Sequence, residues 1–410
     1  MSDRIERVNF TGSQGATLSA RLDRPAGPPR AMALFAHCFT CSKDVKAASR
    51  IAAGLTSQHI AVLRFDFTGL GASDGEFANT DFSSNVDDLI AAADWLRAEH
   101  QAPQILIGHS FGGAAVLSAA RRIPEVSAVA TVAAPSALTH LEHLFEGESA
   151  EIERTGAAQV CLAGRTFEIR QDFVENLRST RLTDEVAELG TALMVMHSPI
   201  DDLVGVEHAR SIYDAAKHPK SFVGVDRADH LLTGPADAAF VADMIGAWAN
   251  RYTVDRSGRT PAPAGSTSQV LVAETNQGPF LNHVSVGEHC LLADEPVDIG
   301  GFDAGPGPYE LVSAGLGACT SMTMRMYADR KDFPLDRAIV EVDHEKVDAP
   351  ADPDGAESSG KVDQFTRRIT LEGPLDDDQR RRILGIANRC PVHRTLEASS
   401  SVITELVTPD

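Results

Sequence analysis

Short apolar runs recur through the first part of the chain. Residues 31–37, 60–67, 104–108, 127–133, 192–197 and 221–225 each read as a buried strand. Between several of them the apolar positions shift to helical spacing, as at Val86, Leu89, Ile90, Ala93 and Leu96, and again over 111–123 and 240–248. Strands alternating with helices predict a mostly parallel sheet with helices on both faces. Upstream, 8–10 and 17–22 flank Ser13-Gln14-Gly15, a hairpin signal. Residues 135–190 interrupt the alternation. The stretch is too long for an ordinary connection and reads as a small, polar, helical cap.

The pattern changes after 257–268, where Pro261-Ala262-Pro263-Ala264-Gly265 sits among small residues without apolar periodicity. That composition is a linker. We therefore place a first domain at 1–255, a linker at 256–267 and a second domain at 268–410. In the second, strands are predicted at 269–275 and 280–286, followed by a long helix at 308–330. Further strands fall at 339–344 and 366–371, a helix at 376–388 and a last strand at 402–407. Segregated strands and helices predict an α+β domain. Residues 348–360, rich in Asp, Pro, Ser and Gly, read as a mobile loop.

Charge narrows the partners. The 410 residues carry 37 basic and 58 acidic side chains, a net charge of −21. That excess repels nucleic acid and anionic membranes. No run reaches the roughly 18 apolar residues of a membrane span. Met1-Ser2-Asp3-Arg4-Ile5-Glu6-Arg7 lacks the apolar core of a secretory signal, so the expectation is a soluble, cytoplasmic protein. The six cysteines (38, 41, 161, 290, 319 and 390) are too sparse for a disulfide framework and are expected to act as thiols.

Gly108-His109-Ser110-Phe111-Gly112 matches G-x-S-x-G. An apolar strand precedes it and a small-residue helix follows, which is the setting of a nucleophile elbow. A serine hydroxyl needs a general base, and the base needs an orienting acid. Candidates follow in the order serine, acid, histidine: Asp201 or Asp202 after the strand at 192–197, and His230 after 221–225. These features resemble the α/β-hydrolase family, in which the acid sits three residues before a valine. With Val204 in that place, the resemblance selects Asp201. Ala228-Asp229-His230-Leu231 is similar to the family's histidine turn. It implies an oxyanion hole from the N–H of Phe111 and of Phe39, in His37-Cys38-Phe39, where relatives often carry His-Gly-x. His109 reads as packing of the elbow, not as the base.

Other motifs have blander readings. Cys38-Phe39-Thr40-Cys41 is a C-x-x-C, but it lacks a thioredoxin-like helix start or a second ligand pair, so structural thiols are favoured. Gly69-Leu70-Gly71 lacks the third glycine of a dinucleotide site and reads as a structural turn. His140-Leu141-Glu142-His143 reads as polar cap helix instead of a metal site. Neither a metal nor a cofactor is expected. The substrate is a small molecule; ester, thioester, amide and C–C cleavage are all open, with ester first. A hydrolase fold that has lost catalysis is the competing reading.

In the second domain Cys319 lies in Gly317-Ala318-Cys319-Thr320, on a helix whose Ala314, Gly315, Gly317 and Ala318 predict a central, buried position. Cys390 ends a helix at Asn388-Arg389-Cys390-Pro391. Taken alone, both fit small buried hydrophobes. Together with Asp294-Glu295-Pro296, Gly305-Pro306-Gly307-Pro308-Tyr309-Glu310-Leu311 and Cys390-Pro391-Val392-His393, they resemble the OsmC/Ohr family of thiol-dependent hydroperoxide reductases over about 268–408. The resemblance implies a peroxidatic Cys319 and a resolving Cys390, an organic hydroperoxide as substrate, and a dithiol reductant. A thiolate at a helix C-terminus is disfavoured, which suits Cys390 to the resolving role. The resemblance also implies that Glu310 pairs with an activating arginine, yet no arginine lies between Gly265 and Met324. Arg325, His283, His289 and His393 remain as cation candidates. OsmC-like proteins are intertwined dimers, so a homodimer through 268–410 is expected. The alternative for this domain is a dimerisation module with vestigial thiols.

Overall fold

Every second residue of a strand points the same way, so a strand that is apolar throughout needs cover on both faces. The computed structural model describes residues 4–39, 41–162, 165–254, 269–287, 289–348, 360–398 and 400–406. It divides into two compact units, Met1–Arg259 and Thr260–Asp410. The 256–267 linker lies outside the described residues, as do 349–359 of the expected loop.

The first unit begins with β1 (Ile5–Thr11), β2 (Thr17–Asp23), β3 (Ala31–Ala36), α1 (Lys46–Ser57), β4 (Ile60–Phe65) and α2 (Phe82–Glu99). Then come β5 (Ile105–His109), α3 (Phe111–Ala119) and β6 (Ala128–Val132). The cap holds α4 (Ser149–Thr155), β7 (Ala157–Leu162), β8 (Arg165–Arg170), α5 (Gln171–Ser179) and α6 (Leu182–Ala187). The unit closes with β9 (Ala192–His197), α7 (Val206–Ala215), β10 (Lys220–Gly224) and α8 (Pro235–Ala249). Eight strands form one sheet in the order β1-β2-β4-β3-β5-β6-β9-β10. The β1–β2 hairpin is antiparallel, with Phe10 opposite Leu18, β2 pairs antiparallel with β4, and β4, β3, β5, β6, β9 and β10 run parallel to one another. This is an α/β-hydrolase fold.

The alternation in β3 shows how the layers are made. Ala31, Ala33 and Phe35 face a core with Ile51, Leu55, Val241 and Ile245 of α1 and α8. Met32, Leu34 and Ala36 face the opposite core with Leu89, Leu96, Val116 and Leu117 of α2 and α3. Asp81 starts α2 by accepting the Ser84 N–H at 2.7 Å. The cap corrects the expectation of an all-helical insertion. β7 and β8 pair as a hairpin within it, burying Ala158, Val160, Phe167 and Ile169 on a period of two.

The second unit holds β11 (Leu271–Glu274), β12 (Asn282–Val286), β13 (His289–Ala293), α9 (Pro308–Arg330), β14 (Arg337–Asp348), β15 (Lys361–Glu372), α10 (Asp377–Ala387) and α11 (Pro391–Glu397). β11 to β13 form an antiparallel sheet, and β14 pairs with β15 from Arg337 opposite Glu372 to Asp348 opposite Lys361. α9 packs on β14, and α10 and α11 pack on α9. Two expectations fail here. α9 is covered along only one stripe, Ser313, Leu316, Thr320, Met324 and Ala328, while Ala314, Gly315 and Ala318 are exposed. Of the four small residues only Gly317 approaches β14, a Cβ there lying 3.3 Å from Val342 Cγ2, while Gly315 has open space beside it. The strand expected at 402–407 is absent over its described residues, 402–406. Val402, Ile403 and Leu406 are exposed, and no described strand pairs with them.

Candidate functional site

β5 delivers Ser110 to a turn with little room for side chains. A Cβ on Gly108 would sit 2.2 Å from the Gly112 carbonyl oxygen, and one on Gly112 would sit 2.3 Å from that of Ala36. The glycines of the motif are therefore demanded by backbone contact. Ser110 itself has φ 54°, unfavourable for a residue with a Cβ, and its N–H is anchored on Val132 O at 2.8 Å. The turn projects the hydroxyl away from the sheet.

The loops after β9 and β10 bring two further side chains to that hydroxyl. His230 Nε2 lies 2.9 Å from Ser110 Oγ, and His230 Nδ1 lies 2.8 Å from Asp201 Oδ2. A carboxylate accepting from Nδ1–H leaves Nε2 free to accept the serine proton. Asp201 Oδ1 accepts the N–H groups of Leu203 at 3.0 Å and Val204 at 2.9 Å. Burial opposes the Asp201 carboxylate, but His230 and these N–H groups hold its pKa below the usual range. Asp202 is exposed. His109 is buried and donates from Nε2 to the His230 carbonyl at 2.7 Å. Burial, then the neighbouring His230, push its pKa down to about 4. It is a neutral strut beneath the histidine turn.

Phe111 is the first residue of α3, so its N–H has no acceptor within the helix. Phe39 sits in the turn after β3, with its ring against Phe77, Phe111 and the cap's Phe173 at centroid distances of 5.3–5.8 Å. Behind this turn, buried Asp66 accepts from Lys43 Nζ at 2.6 Å and from Ala72 N–H at 2.8 Å. The Gly69-Leu70-Gly71 segment is a turn wrapped around Asp66: a Cβ on Gly71 would meet its carboxylate at 2.2 Å. Cys38 and Cys41 correct the expectation of free thiols. Cys41 N–H donates to Cys38 O at 3.2 Å, and this turn brings the two side chains together as a disulfide, Cα atoms 5.5 Å apart, across Phe39. Glu142 of the cap pairs with Arg178 at 2.7 Å, and His140 Nε2 donates to Leu203 O at 2.7 Å. Among the described residues, no group of three or more His, Cys, Asp or Glu is placed to hold a metal ion.

In the second unit Cys319 is half-buried on α9 and Cys390 is buried. Cys390 does not end a helix, as the sequence suggested. α10 stops at Ala387, and Cys390 is the residue before α11. Pro391 and the new helical turn redirect the chain, so Cys390 Sγ accepts the His393 N–H at 3.3 Å. The Thr320 hydroxyl donates to the same sulfur at 3.6 Å. Burial works against the thiolate, yet the His393 N–H, Thr320, Cys319 and the Arg367 charge hold the Cys390 pKa below that of an ordinary thiol. Placed before the start of α11 and not at the end of α10, Cys390 does not face the negative end of a helix.

Arg367, from β15, lies beyond 265–324 and is none of the four cations the sequence offered. Of those four, His393 joins the cluster, with Nδ1 3.2 Å from Arg367. Arg325 instead donates to the Leu335 and Asp336 carbonyls. Glu310 accepts the Gly307 N–H at 2.8 Å and caps α9. Nine residues separate it from Cys319, roughly 14 Å along a helix axis. A cavity of about 470 Å³ opens beside the cluster, lined by Leu316, Val362, Phe365, Arg367, His393 and Leu396 among others.

Comparison with known proteins matches each unit separately. A serine aminopeptidase (S33) family model matches residues 27–146, and an OsmC-like protein model matches 301–405. The esterase domain of a Rhodothermus marinus protein is 48% identical and superposes with a TM-score of 0.51, covering 60% of this chain and 98% of that one. A putative hydrolase from Agrobacterium vitis S4, 21% identical with a TM-score of 0.51, shares the fold over 59% of this chain and 97% of its own. The mitochondrial palmitoyl-protein thioesterase ABHD10 of Mus musculus is 26% identical over 186 residues, 43% of this chain. The chain spans 61% of that relative's length. No helix among the described residues is long and apolar enough to cross a membrane.

Proposed function

The chain belongs to the α/β-hydrolase family through its first unit and carries an OsmC-like second unit, and from that premise we propose that the first unit cleaves carboxylic esters or thioesters by a serine mechanism. The observation that carries this reading is the hydrogen-bonded line from Ser110 through His230 to Asp201, at 2.9 and 2.8 Å. Ser110 Oγ attacks the carbonyl carbon while His230 Nε2 takes its proton. Asp201 holds the imidazole tautomer and stabilises the imidazolium. The N–H groups of Phe39 and Phe111 receive the oxyanion. His230 then protonates the leaving alcohol or thiol, and water repeats the sequence on the acyl-enzyme. The apolar ring cluster of Phe39, Phe77 and Phe173 suits an apolar acyl group, in keeping with a palmitoyl-protein thioesterase among the relatives. The test is a panel of p-nitrophenyl esters and acyl thioesters of increasing chain length, run with wild type and Ser110→Ala. Equal turnover by the two proteins overturns the reading.

For the second unit we infer a thiol redox site using Cys319 and Cys390, with an organic hydroperoxide as oxidant and a dithiol as reductant. The Cys319–Thr320–Cys390–Arg367 cluster supports it. The cavity beside the cluster, with Leu316, Phe365 and Leu396 in its wall, favours an organic over an inorganic peroxide. Mass spectrometry after one equivalent of cumene hydroperoxide tests this: a Cys319–Cys390 disulfide is expected, and two free thiols would leave a dimerisation module as the better reading. We also infer a homodimer through 268–410, since Ala314, Gly315, Ala318, Met322 and Met326 of α9 are exposed.

A further inference from the structure

Arg367 lies on the inward face of β15 with Phe365, Ile369 and Leu371, two residues apart in turn. Ile369 and Leu371 pack on the small core of the unit. The guanidinium reaches three other segments. Its Nη1 donates to Thr320 Oγ1 of α9 at 2.9 Å and to Ala387 O at the end of α10 at 3.0 Å. Its Nη2 donates to Asn388 Oδ1 at 2.9 Å and to His393 Nδ1 of α11 at 3.2 Å. Thr320 accepts from Arg367 and passes its own hydrogen to Cys390 Sγ. Thr320 directly follows Cys319 on α9, and His393 gives its N–H to Cys390. One cation therefore joins the two segments that carry the thiols.

We propose that Arg367 is a positioning residue that holds buried Cys390 as a thiolate against Cys319, so that Cys390 is the prepared attacking thiol of the pair. The proposal rests on the redox reading of the second unit. Half-buried Cys319 meets the oxidant first: its sulfur takes the terminal oxygen of the hydroperoxide, the O–O bond breaks, and the thiol proton passes to the departing alkoxide, giving the Cys319 sulfenic acid and an alcohol. The Cys390 thiolate then attacks the Cys319 sulfur. The S–S bond forms, the S–O bond breaks, and hydroxide leaves and is protonated to water. Two electrons from a dithiol restore both thiols. The groups facing Cys390 are Cys319 and Thr320 from α9, Arg367 from β15 and the His393 N–H from α11. A purely structural arginine would tie off the α10 carbonyl without setting the protonation of a sulfur.

The experiment uses the full chain with Cys161 and Cys290 replaced by serine, and compares Arg367→Gln, Arg367→Lys and Thr320→Val. One equivalent of cumene hydroperoxide is added with dimedone present, and the Cys319 peptide is quantified. Trapped Cys319 sulfenic acid should rise in Arg367→Gln at neutral pH by about tenfold, the worth of one charge-assisted hydrogen bond. It should return to the wild-type level at about pH 9.5, above the ordinary thiol range, where Cys390 ionises unaided. Arg367→Lys should fall between the two, and Thr320→Val should shift the same way by less. Wild-type disulfide formation by Arg367→Gln at neutral pH, or a defect that alkali does not repair, overturns the proposal. Ultraviolet titration of the Cys390 thiolate, taken as the difference from Cys390→Ser, needs no oxidant. A raised midpoint in Arg367→Gln supports the role of Arg367 even if peroxide leaves both thiols free, and an unmoved midpoint overturns it.

Discussion

The two units differ in how much of their environment one chain supplies. In the first, strands such as β3 and β5 are covered on both faces, and the Ser110, His230 and Asp201 side chains meet within a single fold. In the second, the core gathers around Met324, Leu335, Ile383 and Ala387, and α9 leaves Met322 and Met326 at 66% and 72% exposure. Its Cys390 sulfur nevertheless accepts from the Thr320 hydroxyl and the His393 N–H. A buried side chain can thus be fully partnered locally while the surface of its unit is left open. The first unit closes its cores within one chain and the second leaves apolar side chains of α9 uncovered, and that contrast can be tested.

The largest expected effect concerns the independence of the two sites. Ser110→Ala should lower kcat on a p-nitrophenyl ester by about 10⁶-fold, as for a removed serine nucleophile. Peroxide-driven pairing of Cys319 and Cys390 should be unchanged in the same variant, by mass spectrometry. Loss of both would mean that the sites are coupled. Asp201→Asn should cost about 10⁴-fold in kcat, because the imidazole is then held in the wrong tautomer. Asp202→Ala should match wild type in the same assay, its side chain being exposed.

A smaller effect follows from His109. Its folded pKa of about 4 lies below the ordinary histidine value, so the neutral form belongs to the fold. The sign is that of a depressed group: its contribution is complete above about pH 6.5 and is lost as the pH falls toward about 4, roughly 3 kcal/mol in all. Both tryptophans, Trp95 and Trp248, lie in the first unit, so tryptophan fluorescence in urea reports on that unit alone. The midpoint should fall across this window in wild type and stay flatter in His109→Gln, which remains neutral and keeps a donor for the His230 carbonyl. Equal slopes would remove His109 from the account.

The smallest expected change is a factor of about two in mass. By light scattering, residues 268–410 should form a dimer with an interface above the roughly 1,200–2,000 Å² of a standard complex, and 1–255 should be monomeric and active on esters. A monomeric 268–410 or a dimeric 1–255 would reverse the contrast.

The amino-acid pattern alone determined the parallel sheet, the elbow at Ser110 and the chain order of its partners. These are written in neighbouring residues: periodicity of two or 3.6, glycines where backbones touch, and turns at strand ends. Asp201 stands apart from Asp202 in the sequence only through the resemblance to the α/β-hydrolase family, whose acid sits three residues before a valine. The cap hairpin escaped notice because β7 and β8 alternate weakly among polar residues, and only pairing makes them strands. The Cys38–Cys41 disulfide departs from the expected thiols because a C-x-x-C sequence does not by itself specify the turn, with Cys41 N–H on Cys38 O, that brings the two sulfurs together. Arg367 and the surroundings of Cys390 were settled only by tertiary structure. Arg367 meets Thr320 across 47 residues, and Thr320 meets Cys390 across 70. A hydrogen bond or a charge acts through distance in space, and sequence separation carries no record of it until the β14–β15 pair and α9 to α11 pack together.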